Sequence, residues 1–183
     1  RVRTVTELAE RLVAEGAPPP PGIGEPDVLD IGEPGERPSG RRFGALVHAV
    51  LATSALDATP DRVAEVARLE GRLLGASEEE VHAAAAVVTR ALSHTLLDQA
   101  QRAASENACR REVPVAMPQP DGVLAEGIVD LAFRDGGQWW VVDFKTDRQL
   151  EGALDVYRRQ VQLYAEMVSA ATGEPARAVL LRL

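Results

Sequence analysis

At 183 residues, 45% hydrophobic and 26% charged, the chain has the length and make-up of one soluble globular domain with a sizeable core. Its formal charge of −8 excludes a large, uniformly basic nucleic-acid surface but leaves room for a local patch or for help from a neighbouring domain. A single cysteine, Cys109, excludes an internal disulfide, an iron–sulfur cluster and any zinc site built from several thiolates of this chain.

The chain opens "RVRTVTELAERL", which lacks the apolar core of a signal peptide, and no apolar run approaches the roughly 18 residues of a membrane span. The expectation is a cytoplasmic protein with no membrane partner. Arg1 in place of Met leads us to expect a piece of a longer polypeptide. Thr4 and Glu7 have capping-box spacing, which predicts a short helix to about Ala14, ended at Gly16. Residues 17–40 hold "PPPPG", "GEP" twice and "RPSG", and read as an extended or irregular connection, so the compact body is expected from about Arg41.

"FGALVHAVLATSAL", from Phe43, predicts a helix with Phe43, Val47, Val50 and Leu51 on its apolar side. A second helix starts at Thr59-Pro60, and a third at Ser77, which has capping-box spacing to Glu80. Helix continues through "TLLDQAQRAAS". The period then changes. "CRREVPVAM", "VLAEGIVDLAFR" and "QWWVVDFKT" are rich in strand formers and separated by "PQPDG" and "RDGG", which predicts consecutive antiparallel strands. Helical spacing returns over "LEGALDVYRRQVQLYAEMVSAATG", and "ARAVLLRL" closes as another strand. The order predicts an α/β fold, a central mixed sheet flanked by helices with an N-terminal helical part.

Lys145 is the only lysine among 20 lysines and arginines. On a strand it shares a face with Asp143, about 6 to 7 Å along the backbone. Asp130 sits in an apolar strand, where a carboxylate is costly unless paired or bound to a cation. Adjacent strands can set Asp130 beside Asp143, and a hard divalent cation, Mg²⁺ or Mn²⁺, would relieve their repulsion. A compact ammonium beside such a site places charge where a planar guanidinium is a poor substitute. The plainer alternative for Asp143 and Lys145 is a salt bridge at a strand end.

"GIVD", "VVDFKTD" and "YRRQVQLYA" together resemble the PD-(D/E)xK nuclease core, specifically the RecB-like nuclease domain at the C-terminal end of AddA-type and UvrD-type helicase-nucleases. Five motifs occur in order over residues 41–183: Gly44 and His48 in "GALVH", Glu112 in "REVPV", Asp130, the Asp143/Lys145 pair, and Tyr157, Gln160 and Tyr164 on the next helix. The resemblance implies a restriction-endonuclease-like core and metal ligation by His48, Asp130, Asp143 and the Phe144 carbonyl, with Lys145 catalytic. Glu112 is left between orienting the site and lying on an exposed edge. Tyr157, Gln160 and Tyr164 share one helix face and are left between supporting the site and touching DNA; His82 and His94 read as ordinary histidines. Cys109 alone places the chain in the branch without an iron–sulfur cluster. The division implied is a helix over 1–16, a connection over 17–40 and the nuclease domain over 41–183.

The activity that the resemblance implies is a Mg²⁺- or Mn²⁺-dependent exonuclease that hydrolyses phosphodiester bonds of single-stranded DNA delivered by an attached helicase motor, in double-strand-break repair and recombination. The alternatives are an inactive DNA-binding module of the same fold and a restriction-type or junction-cutting enzyme. "RPSGRR", Arg110-Arg111 and Arg158-Arg159 are left open as phosphate contacts.

Overall fold

The computed structural model describes residues 2–32, 37–146 and 152–183. Among these residues six strands and six helices occur in the order β1 (Val2–Thr4), α1 (Val5–Ala14), β2 (Asp27–Asp30), α2 (Arg41–Thr53), α3 (Pro60–Leu74), α4 (Glu78–Leu92), α5 (Thr95–Ser105), β3 (Cys109–Pro118), β4 (Leu124–Asp135), β5 (Gln138–Lys145), α6 (Leu154–Thr172) and β6 (Ala176–Arg182). The chemistry of the helix starts is the one the sequence advertises. Thr4 and Ser77 each cap a first turn and are answered by Glu7 and Glu80, and Thr59 caps α3 with Pro60 behind it.

The strands form one mixed sheet with neighbours β1, β4, β5, β6 and β2, while β3 flanks β4. β3–β4 and β4–β5 are antiparallel, and β6 runs parallel to both β5 and β2. Two elements depart from the sequence reading. β1 precedes α1 and pairs with β4, and β2 lies inside the stretch expected to be an irregular connection. Strands of three and four residues are too short to carry a period-2 signal, and their partners lie far along the chain. The helix predicted from residue 150 starts at Leu154; Leu150 and Glu151 lie outside the described residues.

Two apolar layers sandwich the sheet. Leu131, Phe133, Val142 and Phe144 face α2–α5; Val129, Ala132, Val141 and Leu180 face α1 and α6. Val129 and Leu131 have the same parity yet point to opposite layers, so the alternation of β4 slips at Asp130. β3 slips at the facing position. Cys109 packs with the first layer and Val113 with the second, and between them Glu112 takes φ 50°, in the left-handed region. The β3–β4 register is the same on both sides of the slip, so the two strands turn together.

Candidate active site

β3 lies along one edge of β4 from Leu124 to Phe133, so β1 and β5 share the other edge. β1 pairs with residues 124–126 and β5 with 131–135, which leaves an opening at residues 127–130. The side chains singled out by the sequence gather around that opening.

Asp130 accepts the Phe144 backbone N–H at 2.8 Å, so its carboxylate takes the place of the next rung of the β4–β5 ladder. Its other oxygen lies 3.5 Å from His48 Nδ1, brought in by α2. Burial disfavours the imidazolium, but the Asp130 carboxylate beside it, with Asp143 behind, raises the His48 pKa above its ordinary value.

Asp143 is 4% exposed. Burial pushes its carboxyl up to about 6, with the Asp130 charge adding to the shift and Lys145 opposing it. Lys145 Nζ lies 2.8 Å from Asp143 Oδ2 as an ion pair. The same ammonium sits 4.6 Å above the Tyr157 ring centre. Phe144 turns its ring towards His48, with centroids 6.4 Å apart.

Glu112 lies at the rim of the pocket that holds His48, Asp130 and Phe144. Desolvation and the Asp130 charge raise its pKa, against His48 and Arg111. A non-glycine residue at φ 50° costs about 1–3 kcal/mol and persists where the surroundings enforce it. We therefore expect Glu112→Gly to be more stable than Glu112→Ala by about 1 kcal/mol in urea unfolding, because only glycine relieves that backbone. Equal stabilities would show that the left-handed turn carries no strain.

Gln160 and Tyr164 are buried beneath the opening. Gln160 Nε2 donates to Thr6 Oγ1 at 3.2 Å and approaches the Tyr164 hydroxyl at 3.5 Å, and the Ile128 N–H donates to that hydroxyl. These contacts brace β4 from below. His94 caps α5 through Nδ1, and Cys109 is a partly buried free thiol whose pKa burial raises.

The sequence reading missed three supports. Gly44 lies close against Thr146: a Cβ there would lie 3.0 Å from Thr146 Oγ1, so α2 closes against the end of β5. Gly127 lies against Tyr164, a contact that a glycine inside a strand signals. Several arginines grip main-chain carbonyls: Arg37 those of Thr146 and Leu183, Arg110 those of Asn107 and Cys109, Arg111 those of Leu51 and Ser54, Arg159 those of Ala17 and Pro18.

Among the described residues no three His, Cys, Asp or Glu side chains form a ready-made metal cage; the donors are engaged in pairs. Their chemistry nevertheless fits a hard divalent cation. Two carboxylates and an imidazole act on one another at one opening, and the only cation paired with the buried Asp143 among the described residues is Lys145. No helix among the described residues is long and apolar enough to cross a membrane.

A search among curated proteins found no match. Residues 26–183, most of the chain and the part that carries every one of these motifs, match the PD-(D/E)XK nuclease superfamily, and the chain belongs to that family.

Proposed function

We propose that the chain is a metal-dependent deoxyribonuclease of the RecB-like branch, the nuclease module of a helicase-nuclease that trims single-stranded DNA in double-strand-break repair. Mg²⁺ is the typical cofactor of the superfamily. The observation that carries the reading is Asp143: a buried carboxylate, paired with the only lysine of the chain and within electrostatic reach of a second carboxylate, Asp130, and of His48. The order of the five motifs supports the RecB-like branch, and the absence of further cysteines from the sequence supports its cluster-free form.

His48, Asp130, Asp143 and the Phe144 carbonyl are the groups that would hold the cation, Mg²⁺ or Mn²⁺. When bound there it supplies charge neutralisation at the scissile phosphate and acidifies a water. The other steps belong to the chain. Asp130 holds β5 in register through the Phe144 N–H, so Asp143 and Lys145 stay fixed relative to the β4 opening. Lys145 directs its ammonium to the developing negative charge, and Tyr157 holds that ammonium from behind. Gln160 and Tyr164 keep the floor of the opening rigid.

The test is cleavage of end-labelled single-stranded DNA with Mg²⁺ or Mn²⁺ by the wild type and by Asp143→Ala, with thermal melting alongside. The wild type should cut, and Mn²⁺ should raise its melting midpoint. Asp143→Ala should lose about a hundredfold or more in rate, together with the Mn²⁺-induced shift. A wild type that neither cuts nor responds to Mn²⁺ would instead mark a DNA-handling module of the same fold.

A further inference from the structure

An acidic site on an acidic chain has to bring in a polyanion. Glu112 and Asp130 line the pocket where a phosphate would react, in a protein of net charge −8. Lys145 is already paired with Asp143. Among the described residues, the arginine lining the pocket with His48, Glu112 and Asp130 is Arg111. Arg111 Nη1 donates to the carbonyls of Leu51 at 3.0 Å and Ser54 at 2.6 Å, at the C-terminal end of α2. A helix C-terminus is the negative end of its dipole, which favours a guanidinium held there. Both bonds use one nitrogen. The guanidinium has five N–H donors in a planar fork, and such a fork matches phosphate oxygens in a way an ammonium does not.

We propose that Arg111 is a substrate contact, a guanidinium anchored on α2 that receives a backbone phosphate of the DNA strand beside the scissile one. This rests on the nuclease reading and adds a substrate-binding residue to it. The anchoring has a second consequence. α2 also carries His48, so the group that receives the strand and the group that approaches Asp130 move as one body. Arg110 sits next to Arg111 and has the same kind of anchoring, but it does not line the pocket with His48, Glu112 and Asp130, so it is a suitable control.

The alternative is that Arg111 only caps α2. Salt dependence separates the two, because each lost single-strand phosphate contact lowers the slope of log affinity against log salt by about 0.7, which a capping role would leave alone. The measurement is binding of a fluorescent single-stranded oligonucleotide in EDTA, where no cutting occurs, across a salt series. Arg111→Gln should bind about three- to tenfold more weakly at low salt, with the slope reduced by about 0.7; Arg110→Gln should keep the wild-type slope. A folded Arg111→Gln with unchanged slope overturns the proposal.

If Arg111→Gln does not fold, Arg111→Lys, which keeps a cation at the end of α2, carries the test with oligonucleotides bearing one neutral methylphosphonate. The wild type should show one linkage whose neutralisation weakens binding most, and Arg111→Lys should lose less there. Identical profiles in the two proteins overturn the proposal. Cleavage by the wild type is assayed in parallel. Wild-type binding and cutting with no effect at Arg111 sinks this inference alone, whereas a wild type that does not cut with any metal sinks the nuclease reading.

Discussion

Lys145→Ala should lower the rate of DNA cleavage by about 10²–10³ while the protein stays folded. Among the described residues the side chain makes the ion pair at 2.8 Å with Asp143 and lies over the face of Tyr157. Neither is an apolar contact in the core, and thermal melting alongside the assay checks that the fold survives loss of this 15%-exposed side chain. The electrostatic cost falls on Asp143, whose carboxyl is already pushed up to about 6 by burial and is held from rising further by Lys145. Without the ammonium it rises, and at neutral pH the carboxyl takes up a proton instead of remaining as an unpaired buried charge.

The sign of the pH dependence can be worked out from Asp143. A carboxyl whose folded pKa lies above its ordinary 3.8 contributes less stability as pH rises from there through the folded value. In Lys145→Ala that window extends upward, so the deficit in stability relative to wild type grows with pH until Asp143 ionises. Cleavage runs the other way, since the ionised carboxylate is the working form. Residual activity of the variant should therefore climb more steeply than wild type between about pH 6 and 8. Lys145→Arg should rescue little, because a planar fork cannot place a compact charge over the Tyr157 face and at Asp143 together. Full activity in a folded Lys145→Ala would remove Lys145 from the mechanism.

The pairing of Asp143 with Lys145 was legible because period-2 alternation is a local property of a strand. Capping boxes were legible for the same reason, since Thr4 with Glu7 and Ser77 with Glu80 need only three residues of separation. What stayed hidden is non-local. β1 and β2 exist because β4 and β6 offer them edges more than a hundred residues away. The slip at Glu112 and Asp130 breaks the alternation rule itself: counting in twos from Val129 puts Leu131 in the wrong layer. It falls where two acidic residues face each other across β3 and β4, so local regularity gives way at the candidate site. The arginines were hidden because a guanidinium that caps a distant carbonyl has the same letter as one in solvent.

Gly127→Ala should destabilise the fold by about 1–3 kcal/mol and reduce cleavage with it. A Cβ at this position would lie 2.7 Å from Tyr164 Cε1 and 2.8 Å from its hydroxyl, well inside contact distance. Tyr164 is 5% exposed, with Val161, Ala165 and Val168 packed in the same layer, so the ring has little room to retreat. Either α6 moves away from the sheet or β4 bows outward. In both cases the Tyr164 hydroxyl leaves the Ile128 N–H and the Gln160 amide, and Asp130, three residues along β4, is displaced from Phe144 and His48. A double-mutant cycle separates this clash from any intrinsic cost of alanine in the strand. In a Tyr164→Leu background the ring is gone, and Gly127→Ala should cost at least about 1 kcal/mol less than in wild type, measured by urea unfolding. Additive costs would place the strain elsewhere in β4. A coupling of the expected sign would make Gly127 and Tyr164 one unit, the close approach that keeps the sheet open at residues 127–130 and so sets where Asp130 can stand.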